Sequence, residues 1–93
     1  MLLVPVQSKF PLGQIVITPN AMSRISPAEI QDALGRHASG DWGNLCSEDT
    51  EQNENALDYG GRLFSAYGAN PKRFWIITEG NRSVTTILLP EDY

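Results

Sequence analysis

The chain has 93 residues, of which 41% are hydrophobic and 19% are charged, and its formal net charge is −4. This composition is typical of one globular domain, and the net negative charge argues against a broad nucleic-acid-binding surface. The one cysteine, Cys46, excludes an intrachain disulfide and favours a reducing, cytoplasmic location, and no apolar run has the length of a membrane span or a signal peptide.

The N-terminal part of the chain predicts an extended arm followed by a strand. Pro5, Pro11 and Gly13 interrupt residues 1–13. No long helix is expected there, and the arm can pair at the edge of a sheet. Residues 14–18 are rich in β-branched side chains and are followed by a proline, which indicates the first strand.

The most informative local pattern is a helix start at residue 26. Ser26 suits the N-cap position, Pro27 suits the first helical position, and Glu29 can complete a capping box. Gly40 is suited to end this helix. One face of the helix carries four side chains at helical spacing, namely Ile30, Ala33, Leu34 and His37.

A second helix and three strands complete the predicted fold. Residues 47–59 begin with a serine and two acids, which favour a helix N-terminus, and two glycines follow the segment. Three β-branched and aromatic runs separated by turn residues predict an antiparallel meander over residues 62–67, 73–79 and 83–89. We therefore expect one α+β domain over residues 1–93, with two short helices packed on a three- to four-stranded, mostly antiparallel sheet.

Two sets of polar side chains are candidates for catalysis. His37 and Asp41 are four residues apart at a helix end, a spacing that can place a base beside the carboxylate that orients it. Arg62, Arg82 and Thr85 lie on or near the meander, where side chains on one face of a sheet can together hold a phosphate. Both sets also have a structural interpretation. His37 can complete the buried face of its helix, and the strand residues can form an ordinary polar surface.

The segment from residue 41 to residue 58 is acidic and contains no lysine or arginine. The candidate protein-binding residues in it are Asp41, Trp42, Glu48, Asp49, Glu51 and Glu54. These acids lack the spacing of a calcium loop, and one histidine and one cysteine are too few for a zinc site, so no metal and no cofactor are expected. Cys46 is expected to be a small buried residue rather than a nucleophile, because the neighbouring acids disfavour a thiolate.

Four segments of the chain carry a resemblance to known sequences: FPLGQIV (residues 10–16), RHASGDWG (36–43), FWIITE (74–79) and RSVTTILLPEDY (82–93). They resemble a family of short, uncharacterised bacterial and plasmid-borne proteins, often labelled plasmid-related or type I restriction methylase subunit. The chain is too short for a methyltransferase fold and has no glycine-rich cofactor loop. The resemblance implies an association with mobile elements, and the matching positions of first interest are His37, Gly40, Asp41, Trp42, Gly43, Arg82, Thr85 and Thr86.

Three functional hypotheses follow from the sequence. The leading one is a small non-catalytic interaction or regulatory module that presents its acidic helix to a protein partner or self-associates, because that helix has uncompensated charge and a weak apolar face. The alternative is a metal-independent RNA-cleaving enzyme with His37 as the base, Arg62 or Arg82 holding the phosphate and Thr85 assisting. A second alternative is an anti-defence protein whose acids imitate the phosphates of DNA.

Overall fold

The computed structural model describes residues 8–69 and 71–93. Its elements in chain order are β1 (Gln14–Ile17), α1 (Pro19–Arg24), α2 (Pro27–Ala38), α3 (Ser47–Tyr59), β2 (Leu63–Tyr67), β3 (Phe74–Thr78), β4 (Val84–Leu88) and a final 3-10 turn (Pro90–Asp92). The predicted α+β class is confirmed, and α1 is an additional short helix that the sequence reasoning missed. Of the predicted N-terminal arm, residues 1–7 lie outside the described residues, and residues 8–13 contain neither helix nor strand.

The four strands form one sheet in the order β1-β4-β3-β2. The predicted meander is confirmed, since β2 pairs antiparallel with β3 and β3 pairs antiparallel with β4. The first strand adds to this meander at β4 in a parallel direction, with Gln14 opposite Val84 and Ile17 opposite Ile87. The parallel pairing is possible because α1, α2 and α3 all lie between these two strands in the chain and return it to the same end of the sheet.

The helix starts follow local sequence chemistry. At α2, Ser26 Oγ accepts a hydrogen bond from the Glu29 N–H at 3.2 Å and donates one to Glu29 Oε1 at 2.9 Å. The same arrangement begins α1, where Thr18 Oγ1 accepts from the Ala21 N–H at 3.2 Å ahead of a proline at the first helical position. These bonds satisfy N–H groups that a helix cannot pair internally, which is why the two helices begin where they do.

The principal core lies between α1, α2 and one face of the sheet. Ile76 on β3 and Ile87 on β4 are cross-strand partners at its centre and are fully buried. Each such aliphatic side chain stabilises the fold by roughly 2–3 kcal/mol. A second cluster lies where α3 approaches β2 and contains Phe10, Trp42, Ala56 and Leu63. The polar row described next lies on the same face of the sheet.

Candidate functional site

A row of buried polar side chains crosses the sheet beneath α2. His37, near the end of α2, is fully buried, and its Nδ1 is hydrogen-bonded to Ser65 Oγ on β2. Its Nε2 lies 2.9 Å from Thr78 Oγ1 on β3. Thr78 Oγ1 is 2.8 Å from Thr85 Oγ1 on β4, which is 2.6 Å from the Leu12 carbonyl oxygen. The three hydroxyl side chains are also fully buried, so the whole row is shielded from water.

The hydrogen bonds assign the tautomer of the histidine. Thr85 must donate to the carbonyl at the end of the row, which leaves its oxygen to accept from Thr78. Thr78 has then used its proton and accepts from His37 Nε2–H, while Nδ1 accepts from Ser65. Burial, and secondly the positive charge of Arg82, lower the pKa of His37 to about 3. The ring is therefore neutral near pH 7 and poorly suited to act there as a general base.

Aromatic rings enclose the histidine on the side away from the sheet. Phe10 and Trp42 make edge contacts with the His37 ring, with centroids 5.3 Å and 5.6 Å away. Trp42 is itself only 4% exposed and belongs to the core, although the sequence reasoning placed it on a partner-binding surface. No substrate can reach the ring nitrogens without displacing these side chains.

The structure does not bring Asp41 to His37. The Asp41 carboxylate instead forms an exposed ion pair with Arg36, with 2.8 Å between Oδ2 and Nε. It also accepts a hydrogen bond from the Gly43 N–H at 3.2 Å. These contacts, the one to Arg36 foremost, lower the pKa of Asp41. Asp41 thus shapes the turn after α2 and does not orient the histidine.

Arg82 acts as a clamp between the β3–β4 turn and the end of α3. Its backbone has a φ of 61° in that turn. Its guanidinium donates to the carbonyl oxygens of Gly61 at 2.6 Å, Ala56 at 3.0 Å and Glu79 at 3.1 Å. Ala56 belongs to the last turn of α3, where a positive charge complements the helix dipole. The guanidinium donors are thus used within the fold, which disfavours a role in holding a phosphate.

Arg62 and Thr85 lie on different sides of the sheet. Arg62 is exposed, with Nη1 2.8 Å from the Tyr93 hydroxyl and Nε 3.8 Å from Glu79 Oε1. Thr85 belongs to the buried row on the helix-covered face, and Thr86 points to the opposite face because successive strand residues alternate. The three predicted phosphate-binding side chains, Arg62, Arg82 and Thr85, therefore do not converge on one site.

The helix α3 carries a dense set of acidic side chains. Its five carboxylates are exposed and belong to Glu48, Asp49, Glu51, Glu54 and Asp58. Within residues 8–69 and 71–93, no lysine or arginine forms an ion pair with any of them. Glu54 alone has a side-chain partner in that set, accepting a hydrogen bond from Trp42 Nε1 at 2.8 Å. The surface is thus negative and unneutralised.

Asn53 fastens α3 to the sheet. Its side-chain amide donates to the Phe64 carbonyl at 2.6 Å and accepts from the Phe64 N–H at 3.1 Å. These two hydrogen bonds have the same donor and acceptor pattern that the backbone of a neighbouring strand would form with Phe64 of β2. Two residues along, Ala66 bonds in the same way to the Trp42 carbonyl at 3.2 Å and the Asn44 N–H at 2.7 Å. The outer edge of β2 is therefore covered.

The expectation that Cys46 is buried is wrong. Cys46 is exposed at the N-cap position of α3, where the chain turns at the surface before entering the helix. In the part of the chain that the structure describes, no group of three or more histidine, cysteine or acidic side chains is arranged to hold a metal ion. None of the described helices is long and apolar enough to cross a membrane.

Two grooves lie on opposite faces of the sheet. The larger, of about 790 Å³, is lined mainly by apolar side chains of β1, α2 and residues 8–13, among them Leu12, Ile15, Ile17, Ile30 and Leu34. The smaller, of about 390 Å³, lies on the face without α2. Its wall contains three aromatic side chains, Phe64, Trp75 and Tyr93, together with Arg62 and Asp49.

Sequence reasoning missed the roles of two residues that organise these sites. The strand pattern alone gives Thr78 no role in a site. In the structure Thr78 lies opposite Thr85 across a short turn, and the two form a polar pair at inward positions of a buried sheet. Asn53 is a polar side chain on the same face of α3 as Ala56 and Leu57. A buried amide in that position signals backbone pairing, because such a group must find partners for both its oxygen and its nitrogen.

In comparisons with known proteins, no family model, no curated protein and no solved structure matches this chain. The resemblance to plasmid-borne proteins stays a prediction. Evidence on function therefore comes from the geometry of this molecule.

Proposed function

We propose that the chain is a small, cytoplasmic, non-catalytic interaction module that binds a basic protein surface through the outer side of α3. The observation that carries this proposal is the set of five exposed α3 carboxylates with no ion-pair partner in the described residues. A patch of one charge favours association with a surface of the opposite charge and speeds the encounter.

The arrangement of the acids is unfavourable for the helix itself. Glu54 and Asp58 are four residues apart, so like charges are neighbours on the helix surface. Asp58 lies in the last turn, where the helix dipole disfavours negative charge, and that turn has no basic residue of its own. Charges that cost stability without an internal partner are typical of binding surfaces, where function and stability conflict.

The candidate catalytic side chains form hydrogen bonds within the fold, and this supports binding rather than catalysis. His37 is fully buried, neutral and hydrogen-bonded at both nitrogens, and the Arg82 donors are taken by backbone carbonyls. RNA cleavage by His37 would require the aromatic cover to open and the pKa to rise by several units. The geometry therefore gives this alternative no support beyond the presence of the residue types.

The nature of the basic partner divides into two cases. A partner that normally binds DNA would be competed away from α3 by duplex DNA, as expected of an anti-defence protein that imitates phosphates. Because the resemblance suggests an origin on bacterial mobile elements, competition with duplex DNA is part of the test below. A partner with a basic surface unrelated to DNA would be displaced by salt alone, because surface charges are screened over about 8–10 Å at ordinary ionic strength.

The proposal is tested by affinity capture with the full chain as bait. The α3 variant is Glu51→Gln/Glu54→Gln/Asp58→Asn, and the matched control is Asp32→Asn, which removes an exposed carboxylate from α2. We expect a basic protein that the wild type and the control retain and the α3 variant loses, with affinity at least about tenfold weaker, equivalent to ~1.4 kcal/mol.

Capture of the same proteins by the wild type and the α3 variant would contradict the proposal. Competition with duplex DNA then identifies or excludes the anti-defence case. In a parallel sample, RNA incubated with the chain in the presence of a chelator should remain intact. Cleavage that disappears in His37→Gln would instead favour the enzyme hypothesis.

A further inference from the structure

Three aromatic side chains line the smaller groove, on the face of the sheet without α2. The Trp75 ring centroid lies 5.0 Å from that of Phe64 and 5.7 Å from that of Tyr93. The angles between these ring planes are 74° and 72°. Tyr93 is 72% exposed, and Phe64 and Trp75 are half-buried. Unlike the rings that enclose His37, these rings are accessible, and their faces carry the negative potential that attracts cations.

Arg62 fixes the position of Tyr93 in this groove. Its Nη1 donates to the Tyr93 hydroxyl at 2.8 Å and so holds the tyrosine ring against Trp75. The positive charge of Arg62 is itself compensated, because Glu79 Oε1 lies 3.8 Å from its Nε. Arg62 therefore orients an aromatic side chain of the groove and opposes a cationic ligand only weakly.

Asp49 supplies a negative charge at the other end of the groove. The helix α3 and β2 are joined by a short connection and lie side by side at the hydrogen bonds between Asn53 and Phe64, so they run in opposite directions. Asp49 is one helical turn before Asn53, and Arg62 is two residues before Phe64, so the two charged side chains lie on opposite sides of this contact. Within the described ranges 8–69 and 71–93, no lysine or arginine forms an ion pair with Asp49.

We propose that this groove receives an arginine side chain of the basic partner, an inference that rests on the proposed function. The guanidinium stacks on the exposed ring faces of Trp75 and Tyr93 and donates to the Asp49 carboxylate. Arginine fits these groups better than lysine, because its planar guanidinium can stack on a ring and donate two parallel hydrogen bonds to a carboxylate at once. The groove volume of about 390 Å³ is near the lower end of the range for ligand pockets, about 300–1,000 Å³, which suits one inserted side chain.

The position of Asp49 makes the groove continuous with the acidic surface of α3. Asp49 is one of the five exposed carboxylates of that helix and also lines the groove. The α3 carboxylates raise the local concentration of cations beside the groove, and this charge complementarity favours a basic occupant over an anionic one. Arginine and aromatic side chains are also those that most often dominate the binding energy of protein interfaces. A partner bound to α3 is thus positioned to insert an arginine between the rings.

The test compares two peptides of equal charge. Both have blocked ends; one is Gly-Lys-Gly-Arg-Gly-Lys-Gly, and in the other a lysine replaces the arginine. Because the long-range attraction to α3 is the same for both, a difference in affinity reports the guanidinium. NMR titration of the full chain, followed at the Trp75 indole N–H, should give a dissociation constant on the order of 1 mM for the arginine peptide and at least about fivefold weaker binding for the lysine peptide.

Variants then assign this preference to the groove. Asp49→Asn and Tyr93→Leu should each reduce the ratio of the two affinities to below about twofold, because they remove the carboxylate and one ring face. The matched controls Asp32→Asn and Tyr59→Leu change the same residue types at exposed positions outside the groove and should keep the ratio. The NMR spectrum shows that each variant is folded, and the ratio is then independent of a modest loss of stability.

No binding of the arginine peptide, equal affinities for the two peptides, or a preference that Asp49→Asn and Tyr93→Leu leave unchanged would overturn the inference. Binding of both peptides that is equal and that weakens in the α3 variant would refute the arginine site while supporting the basic-partner proposal. Failure of the proposed function would appear instead as capture of the same proteins by the wild type and the α3 variant.

Discussion

The buried histidine should make this protein sensitive to mild acid. His37 has a pKa of about 3 in the folded state against 6.5 as the ordinary value, so below pH 6.5 the unfolded chain binds a proton that the folded chain rejects. Stability is therefore complete above about pH 7 and is lost progressively as the pH falls from 6.5 towards 3. The chain contains one histidine, so no other imidazole contributes to this slope.

The size of this loss of stability follows from the difference between the pKa of His37 in the folded chain and its pKa in the unfolded chain. At pH 5 the pH is about 1.5 units below the histidine pKa of the unfolded chain, so His37 is protonated there, whereas it is still neutral in the folded chain. The free energy of unfolding is therefore about 2 kcal/mol lower at pH 5 than at pH 7. A domain of this size has a net stability of roughly 5–10 kcal/mol. The melting temperature should therefore fall by about 10 °C between pH 7 and pH 5.

The assay is urea denaturation of the wild type and His37→Gln at pH 7, 6, 5.5 and 5. Glutamine can keep one hydrogen bond of the row but does not titrate, so the variant should be less stable at pH 7 by about 1–3 kcal/mol and nearly independent of pH above 5. Carboxylates with lowered pKa, such as Asp41, contribute only below about pH 4 and do not interfere. Equal pH slopes for the two proteins would refute the assignment of a neutral, desolvated His37.

Three further changes test other contacts by denaturant unfolding. Asn53→Ala should lower the free energy of unfolding by about 2–3 kcal/mol, because it leaves the Phe64 N–H and C=O without partners. The control Asn55→Ala, at an exposed position of the same helix, should change it by less than about 0.5 kcal/mol, and equal effects would contradict the pairing of Asn53 with Phe64. Asp58→Asn should raise the free energy of unfolding by about 0.3–0.5 kcal/mol, because it removes a negative charge from the last turn of α3, where the helix dipole disfavours one. A loss of stability would contradict the conclusion that the α3 acids are unfavourable for the helix. Arg82→Lys should cost about 1–3 kcal/mol since lysine cannot reach several carbonyls at once, and a neutral result would argue against the clamp.

The parts of this protein that sequence reasoning predicted correctly are those that depend on neighbouring residues. Ser26 caps a helix because the N–H it binds lies three residues ahead, and β-branched runs separated by turn residues pair with their immediate neighbours in the chain. The short helix α1 shows the limit of such reasoning. Its cap at Thr18 followed by Pro19 has the same chemistry, but the β-branched run that ends there predicts only the end of a strand.

The candidate site depended on contacts across long stretches of the chain, and local patterns could not resolve it. The sequence leaves two possibilities for His37, and burial on the inner face of α2 is one of them. Its partners Ser65 and Thr78 are 28 and 41 residues away, and only the packing of α2 across β2 and β3 selects them over Asp41.

The sequence by itself determined the class of fold, the start of α2 and the acidic character of α3, because propensity, capping and charge are properties of short segments. Tertiary structure alone decided that β1 joins β4 in parallel, that Arg82 binds carbonyls at the end of α3, and that the outer edge of β2 is covered by the Asn53 amide and the backbone of residues 42–44. These outcomes are set by which distant groups satisfy each other's hydrogen bonds once water is excluded, and no local pattern encodes that choice.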